Sequence, residues 1–173
     1  LYVIELSLFK DDRGWFARTF CKKEFEKIGF SKEWVQLNHS FTNRAGTIRG
    51  IHFQFPPYDE TKLVRCISGA VYDVAVDLRK GSSTFLKWFG IELSAENKKM
   101  IFIPEGFAHG FQTLTHNCEL VYHHSNSYSP GSEGGIKYDD PIIGINWPLK
   151  TIIISEKDGK YEYLLENFKG ISL

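Results

Sequence analysis

The segment VYDVAVDLR, residues 71–79, alternates apolar and polar side chains. In an extended chain, successive side chains point to opposite faces. Tyr72, Val74, Val76 and Leu78 therefore share one face, and Val71, Asp73, Ala75 and Asp77 share the other. One face is fully apolar and the other carries carboxylates, which reads as a β-strand. Outward from it, similar short runs recur: IHFQF at 51–55, KLVRCI at 62–67, KWFGIEL at 87–93, MIFI at 100–103, GFQTL at 110–114 and ELVYHH at 119–124. They are rich in β-branched and aromatic residues and separated by Gly, Pro, Asn or Asp clusters, the pattern of a mostly antiparallel all-β chain. Strands of this number and spacing favour a sandwich or a closed barrel.

Helical signal is confined to short flanking stretches, one near Lys22 to Ile28, with Phe25 and Ile28 three apart, and one from Lys157 onward. No repeat, low-complexity tract or linker interrupts the 173 residues. A single domain, 1–173, with one site is the economical expectation.

Lysine plus arginine (21) balance aspartate plus glutamate (21). Overall charge thus points to neither nucleic acid nor an anionic membrane, and an anionic ligand must be met by local clustering. Cys21, Cys66 and Cys118 lie far apart with no CxxC spacing, against a zinc site or a disulfide framework and in favour of a reducing cytoplasm. No apolar run approaches the roughly 18 residues that span a bilayer, and LYVIELSLFKDDRG lacks a basic segment ahead of a long apolar one. The expectation is a chain neither anchored nor exported. It opens inside a strand-like run without methionine, so a short preceding native segment is expected.

Two histidines stand in distinctive contexts: His52 in RGIHFQ and His109 in IPEGFAHGF. On a strand, His52 shares a face with Gln54, while Ile51, Phe53 and Phe55 take the other. Alone, such a histidine is better explained as a hydrogen-bonded core residue. The spacing P-x-G-x-x-H over Pro104–His109 resembles the second motif of the cupin superfamily, and RGIHFQ sits where cupins carry their first. The resemblance implies a cupin-like jelly-roll β-barrel. Metal-binding cupins have H-x-H followed by a glutamate. Here Gln54 takes the second histidine's place, so no metal is expected.

Within that superfamily the ordered strings FKDDRGWF, VQLNHS, RGIHFQFPP, KLVRCISGAVYDVAVDLRKGSSTF, LSAENKKMIFIPEGFAHGF, YSPGSEGGI, DDPIIGINWP and ISEKD resemble the dTDP-4-dehydrorhamnose 3,5-epimerase family. The resemblance implies inversion at C3 and C5 of a nucleotide-linked 4-keto-6-deoxy sugar. The carbonyl acidifies both C–H bonds, so the reaction needs a base on one face, an acid on the other and a stabiliser for the enolate oxygen, without a cofactor.

By their match to the family's positions, His52 is the base, Asp158 the carboxylate that fixes its tautomer, Lys62 the enolate stabiliser and Tyr122 the proton donor. From the residues alone, Asp158 reads better as a carboxylate in a helix's first turn, and only the resemblance reverses that. Asp73, on the polar face of the next strand, is expected to hold Lys62. Arg13, Phe16, Gln36, Asn38, Arg49, His109, Tyr128, Glu133 and Lys157 match substrate-binding positions. Tyr128 would stack on the thymine, and Phe16 would lie in a segment that reaches a neighbouring subunit's site.

Three departures from the family pattern stand out: Arg18 for a glutamate, Ser127 for an aromatic residue, and His123 for a lysine after Tyr122. Arg18 falls where the base or sugar would be held, so a different nucleotide or sugar is an expectation too. Strand alternation should turn residue 123 away from 122. The resemblance also implies a homodimer in which N-terminal strands cross to the partner. Competing readings are a single-centre epimerase, a non-catalytic sugar-nucleotide-binding barrel and a metal-dependent cupin enzyme.

Overall fold

A computed structural model describes residues 1–173. The strands are β1 Tyr2–Ile4, β2 Phe9–Asp11, β3 Gly14–Phe16, β4 Gln36–Thr42, β5 Ile48–Gln54, β6 Lys62–Ser68, β7 Ala70–Asp77, β8 Trp88–Ser94, β9 Met100–Ile103, β10 Phe107–Thr113, β11 Cys118–His124 and β12 Glu133–Gly135. Helices are brief. α1 covers Lys22–Phe25 and runs into a 3-10 turn at Glu26–Ile28, and α2 covers Glu156–Gly159. Two five-stranded antiparallel sheets, ordered β1-β9-β6-β11-β4 and β12-β5-β10-β7-β8, form a jelly-roll barrel, and β2 and β3 form a separate hairpin.

Each strand read from the sequence is present, with ends displaced by up to three residues. β1 falls in the strand-like run that opens the chain, whereas β4 and the short β2, β3 and β12 were not anticipated as strands. β4 is mixed in character, with burial alternating only weakly along QLNHSFT, because it is a sheet edge with one neighbour.

The alternation in β7 takes on a meaning here that the sequence leaves open. Val71 and Ala75 join Val64, Cys66, Ile101, Ile103 and Leu120 of the opposite sheet in the core between the sheets. The wholly apolar face of β7 instead looks outward. Val74, Val76 and Leu78 pack with Ile51, Phe53 and Ala108 under Ile136, Ile143 and Ile171 of the C-terminal segment. The face carrying Asp73 is thus the interior one. A third cluster, Phe25, Phe30, Leu63, Met100 and Phe102, covers the other sheet beneath α1, with Trp34 stacked on Phe30 at 4.2 Å. Each fully buried aliphatic or aromatic side chain of this kind contributes about 1.5–3 kcal/mol through burial.

The C-terminal segment is held by side-chain-to-backbone pairs as well as apolar contact. Gln112 donates to Leu149 O at 2.8 Å and accepts from Leu149 N at 2.9 Å. Asp140 accepts from the amides of Ile142, Ile143 and Leu164. At the end of β7, buried Asp77 receives Arg79, Ser82 and Thr84. Burial works to raise its carboxyl pKa, but these hydrogen bonds hold it well below its ordinary value.

One backbone crossing shapes the interior. A Cβ at Gly50 (φ +116°) would lie 2.6 Å from Gly110 Cα, so β5 and β10 approach closely only because both residues are glycine. The β10–β5 register shifts there, between His109 and Phe111. Such bulges re-aim neighbouring side chains, and His52 and His109 are paired beside this one. No helix is long and apolar enough to cross a membrane.

Candidate active site

Above the apolar core the barrel interior turns polar and opens into a cavity of about 500 Å³. Both sheets line it: Arg49 and His52 of β5 and His109 of β10 on one side, Asn38 and Ser40 of β4, Lys62 of β6, and Tyr122 and His124 of β11 on the other, with Ser155, Lys157 and Asp158 closing one end.

His52 Nε2 lies 2.7 Å from Asp158 Oδ1. The carboxylate is almost fully buried, whereas about a third of the imidazole remains open to the cavity. An ionised carboxylate only accepts hydrogen bonds, so Nε2 carries the proton and Nδ1 keeps its lone pair. Asp158 Oδ2 also accepts from Gly50 N at 3.3 Å. Burial pushes the Asp158 carboxyl up, but the hydrogen bonds from His52 and the Gly50 amide, together with Ser155, outweigh it and hold the pKa below its usual value. Both sequence readings of Asp158 hold at once. It sits in the first turn of α2, where its amide donates to the capping Ser155 hydroxyl at 3.0 Å, while its carboxylate turns to His52.

Tyr122 is buried, and its hydroxyl pairs with Ser40 Oγ at 2.9 Å. Burial drives the phenol pKa well above its ordinary value, so the hydroxyl keeps its proton. His123 turns the other way and packs on Trp34 at 5.9 Å, as strand alternation requires.

Lys62 is nearly enclosed, and its Nζ pairs with Glu60 Oε1 at 3.2 Å. The expectation that Asp73 holds Lys62 is therefore corrected. Lys62 begins β6 in one sheet, opposite Ile103 and His124. Asp73 lies on β7 in the other sheet, diagonal to His109, and receives His109 Nε2 at 2.9 and 3.0 Å. Asp73 is wholly buried, so its nearest donor claims it.

The remaining expected residues divide into three groups. Asn38, Arg49, His109 and Lys157 line the cavity. Arg49 is steadied by Thr42 Oγ1 at 2.9 Å and Phe41 O at 3.1 Å. Gln36, Tyr128 and Glu133 gather at its margin: Gln36 bridges Asn38 and Tyr128 N, and Glu133 receives both the Tyr128 hydroxyl at 2.8 Å and Lys157 Nζ at 2.6 Å. Arg13 and Phe16 are not brought to this cavity. They sit on the exposed β2–β3 hairpin, where Arg13 pairs only with Asp11. Arg18 is likewise exposed and pairs with Glu24 at 3.0 Å.

Sequence reasoning missed Glu60, His124, Ser40 and Tyr161, whose ring meets His52 edge-on at 5.7 Å. His124 carried one usable signal, because it shares strand parity with Tyr122 two positions earlier. Gln54, standing where a cupin ligand would, is buried and engaged by three backbone groups: it donates to Tyr58 O and Ser127 O and accepts from Ser129 N.

The profile of one family, described as dTDP-4-dehydrorhamnose 3,5-epimerase, matches residues 1–166. The chain belongs to this family. The dTDP-4-dehydrorhamnose 3,5-epimerase of Shigella flexneri is 49% identical over 157 residues, 90% of this chain and 86% of the relative. The crystal structure of the Bacillus anthracis dTDP-4-dehydrorhamnose 3,5-epimerase, with TDP and pyrophosphate bound, superposes with a TM-score of 0.91 at 43% identity, covering 94% of this chain and 93% of that one. The Legionella pneumophila dTDP-6-deoxy-D-glucose-3,5-epimerase, in complex with dTDP-4-keto-L-rhamnose, gives 0.88 at 40% identity, covering 93% and 86%. Membership in the dTDP-4-dehydrorhamnose 3,5-epimerase family makes the protein an isomerase with a cupin-type barrel.

Proposed function

We propose that this protein, acting as one unit over residues 1–173, epimerises C3 and C5 of a dTDP-linked 4-keto-6-deoxy sugar in the barrel cavity, with His52 as base and Tyr122 as acid. The observation that carries the reading is that the two groups come from opposing sheets. His52, oriented by Asp158, looks in from β5, and Tyr122 looks in from β11 across the same cavity. Inversion requires a proton to leave one face of a carbon and another to arrive at the opposite face, so an acid and a base on facing walls are the needed arrangement.

In this reading His52 Nδ1 takes the proton from the carbon beside the carbonyl. The C–H electron pair passes to the carbonyl oxygen as an enolate, and Asp158 stabilises the imidazolium that forms. The Lys62 ammonium meets the enolate oxygen, a contribution whose removal costs on the order of 10²–10³ in rate. Tyr122, kept protonated by burial, returns a proton from the other wall as the enolate collapses. The same pair serves the second carbon after the ring turns over. Proton transfers alone complete the chemistry.

Arg49, Lys157 and His109 supply donors along the cavity for the diphosphate and sugar. Tyr128, exposed at the margin, stacks on the base. Arg13 and Phe16 stand far out on the hairpin, where Phe9, Trp15 and Phe16 are all exposed, and they serve the site of a second copy in a homodimer with exchanged N-terminal strands. Such a biosynthetic enzyme works in the cytoplasm.

Incubation with dTDP-4-keto-6-deoxyglucose in D₂O, followed by NMR at C3 and C5, tests the assignment. Deuterium enters both carbons with the parent and neither with His52→Ala. Wash-in by His52→Ala at the parent's rate rejects His52 as the base, and no wash-in by the parent rejects the substrate.

A further inference from the structure

Two enclosed titratable groups have no part in the proton transfers above. His124, at the end of β11, lines the cavity, and Glu60, on the loop before β6, stands beside it and Lys62; the Glu60 and His124 side chains are about one-tenth exposed. Glu60 Oε1 faces Lys62 Nζ at 3.2 Å, and Glu60 Oε2 faces His124 Nδ1 at 2.8 Å. On the far side of the ring, His124 Nε2 meets Asn38 Nδ2 at 3.2 Å. Asn38 Oδ1 then receives Gln36 Nε2 at 3.2 Å, and Gln36 Oε1 receives Tyr128 N at 3.0 Å.

We propose that Glu60 and His124 are positioning residues of this site: one carboxylate clamps the Lys62 ammonium and, through the His124 ring, sets which way the Asn38 and Gln36 amides face the substrate. The inference rests on the role given to Lys62 above and adds the groups that hold it. A carboxylate accepts and cannot donate, so His124 must carry its proton on Nδ1, and Nε2 is left as an acceptor. Only the NH₂ of Asn38 satisfies that acceptor, which turns Asn38 Oδ1 toward Gln36 and, in the same way, Gln36 Oε1 toward the Tyr128 amide. Were the proton on Nε2, Asn38 would turn over and its NH₂ would meet the NH₂ of Gln36, donor against donor. One carboxylate therefore fixes four groups along a single wall.

The charge balance agrees with the geometry. Burial works to raise the Glu60 carboxyl, while the His124 hydrogen bond and the Lys62 charge more than offset it, so the pKa lies below its usual value. Enclosed charges persist where partners satisfy them, and Glu60 has a partner for each oxygen.

The two arms of the wall separate in kinetics. Glu60→Gln removes the counter-charge that holds Lys62, so kcat falls on the order of 10²-fold, the scale of a misplaced catalytic group, with KM within about threefold of the parent. His124→Asn keeps a donor where Nδ1 stood and loses the Nε2 contact. KM then rises about tenfold, the equivalent of one hydrogen bond, and kcat stays within about threefold. Glu60→Asp restores part of the lost kcat. ¹⁵N-histidine NMR of the unaltered protein, above the imidazole titration range, reads the tautomer without reference to turnover and applies even where a variant fails to fold. His124 shows the Nδ1–H form. An Nε2–H form, or a Glu60→Gln enzyme with parental kcat, overturns the proposal. A parent that washes in no deuterium instead overturns the epimerase reading and leaves the tautomer measurement to decide the network.

Discussion

Asp158→Asn separates the two roles of the carboxylate, because the two oxygens serve different donors. Oδ1 takes His52 Nε2 at 2.7 Å and Oδ2 takes the Gly50 amide at 3.3 Å, and both donors are fixed by β5. Asparagine has one oxygen and one NH₂ to offer them. The Gly50 amide has no alternative tautomer, so the asparagine oxygen settles on it and the NH₂ faces His52 Nε2. The imidazole can meet an NH₂ only by moving its proton from Nε2 to Nδ1, the nitrogen that has to accept the substrate proton.

The variant folds but holds its base in the wrong tautomer, a condition that costs about 10⁴-fold in the analogous serine-protease arrangement, or about 5.4 kcal/mol of transition-state stabilisation. Asp158→Ala leaves the Gly50 amide unpaired but imposes no tautomer, and it retains more activity than Asp158→Asn. The assay is deuterium wash-in at C3 and C5 under single-turnover conditions, with thermal melts showing that both variants are folded. An Asp158→Asn enzyme within tenfold of the parent, or one more active than Asp158→Ala, refutes the tautomer argument.

Tyr122→Phe removes the donor on the far wall but leaves the His52–Asp158 pair untouched. Inversion slows by about 10²–10⁴-fold while deuterium still enters with retained configuration, which NMR coupling constants at C3 and C5 distinguish. For Asp77, a depressed native pKa means that its stabilisation is complete above its unfolded pKa, about 3.9, and is lost as pH falls through the lower folded value. Asp77→Asn accordingly lowers stability by about 1–3 kcal/mol at pH 7, by denaturant melts, and the gap to the parent narrows in acid. At Gly135, opposite His52 in the β12–β5 register, a Cβ would lie 2.2 Å from Tyr161 Cζ. Gly135→Ala displaces the ring that braces His52 and lowers kcat about tenfold with a stability loss of about 1–3 kcal/mol, read by turnover and thermal melts.

The barrel was legible because its strands are amphipathic or wholly apolar over runs of four to nine residues, and hydrophobic periodicity reports that directly. What periodicity does not report is which side of a strand faces in. The apolar face of β7 looks like a core face by itself, yet it meets the C-terminal layer, while the face with Asp73 and Asp77 is the interior one. Strand parity separated His52 from Ile51 and Phe53, and His123 from Tyr122, and the strands keep both separations. Pairings between sheets were beyond it: Asp73 stands close to Lys62 in sequence, but the fold gives Asp73 to His109 and Lys62 to Glu60. Glu60 carried no pattern at all, since a carboxylate in a loop ahead of a strand ordinarily reads as solvated.

Every strand of the barrel precedes Asp158 in the chain. During synthesis, therefore, both sheets can close while His52 still lacks its partner. The base is armed only when the C-terminal segment crosses the outside of one sheet and seats α2 at the cavity's end. Catalysis thus depends on the last docking event, which is secured by the apolar cover of Ile136, Ile143 and Ile171 and by pairs such as Gln112 with Leu149. Lifting that segment takes Asp158 from His52 and uncovers Ile51, Phe53, Val74 and Val76 in the same event, so the site and the outer apolar layer stand or fall together.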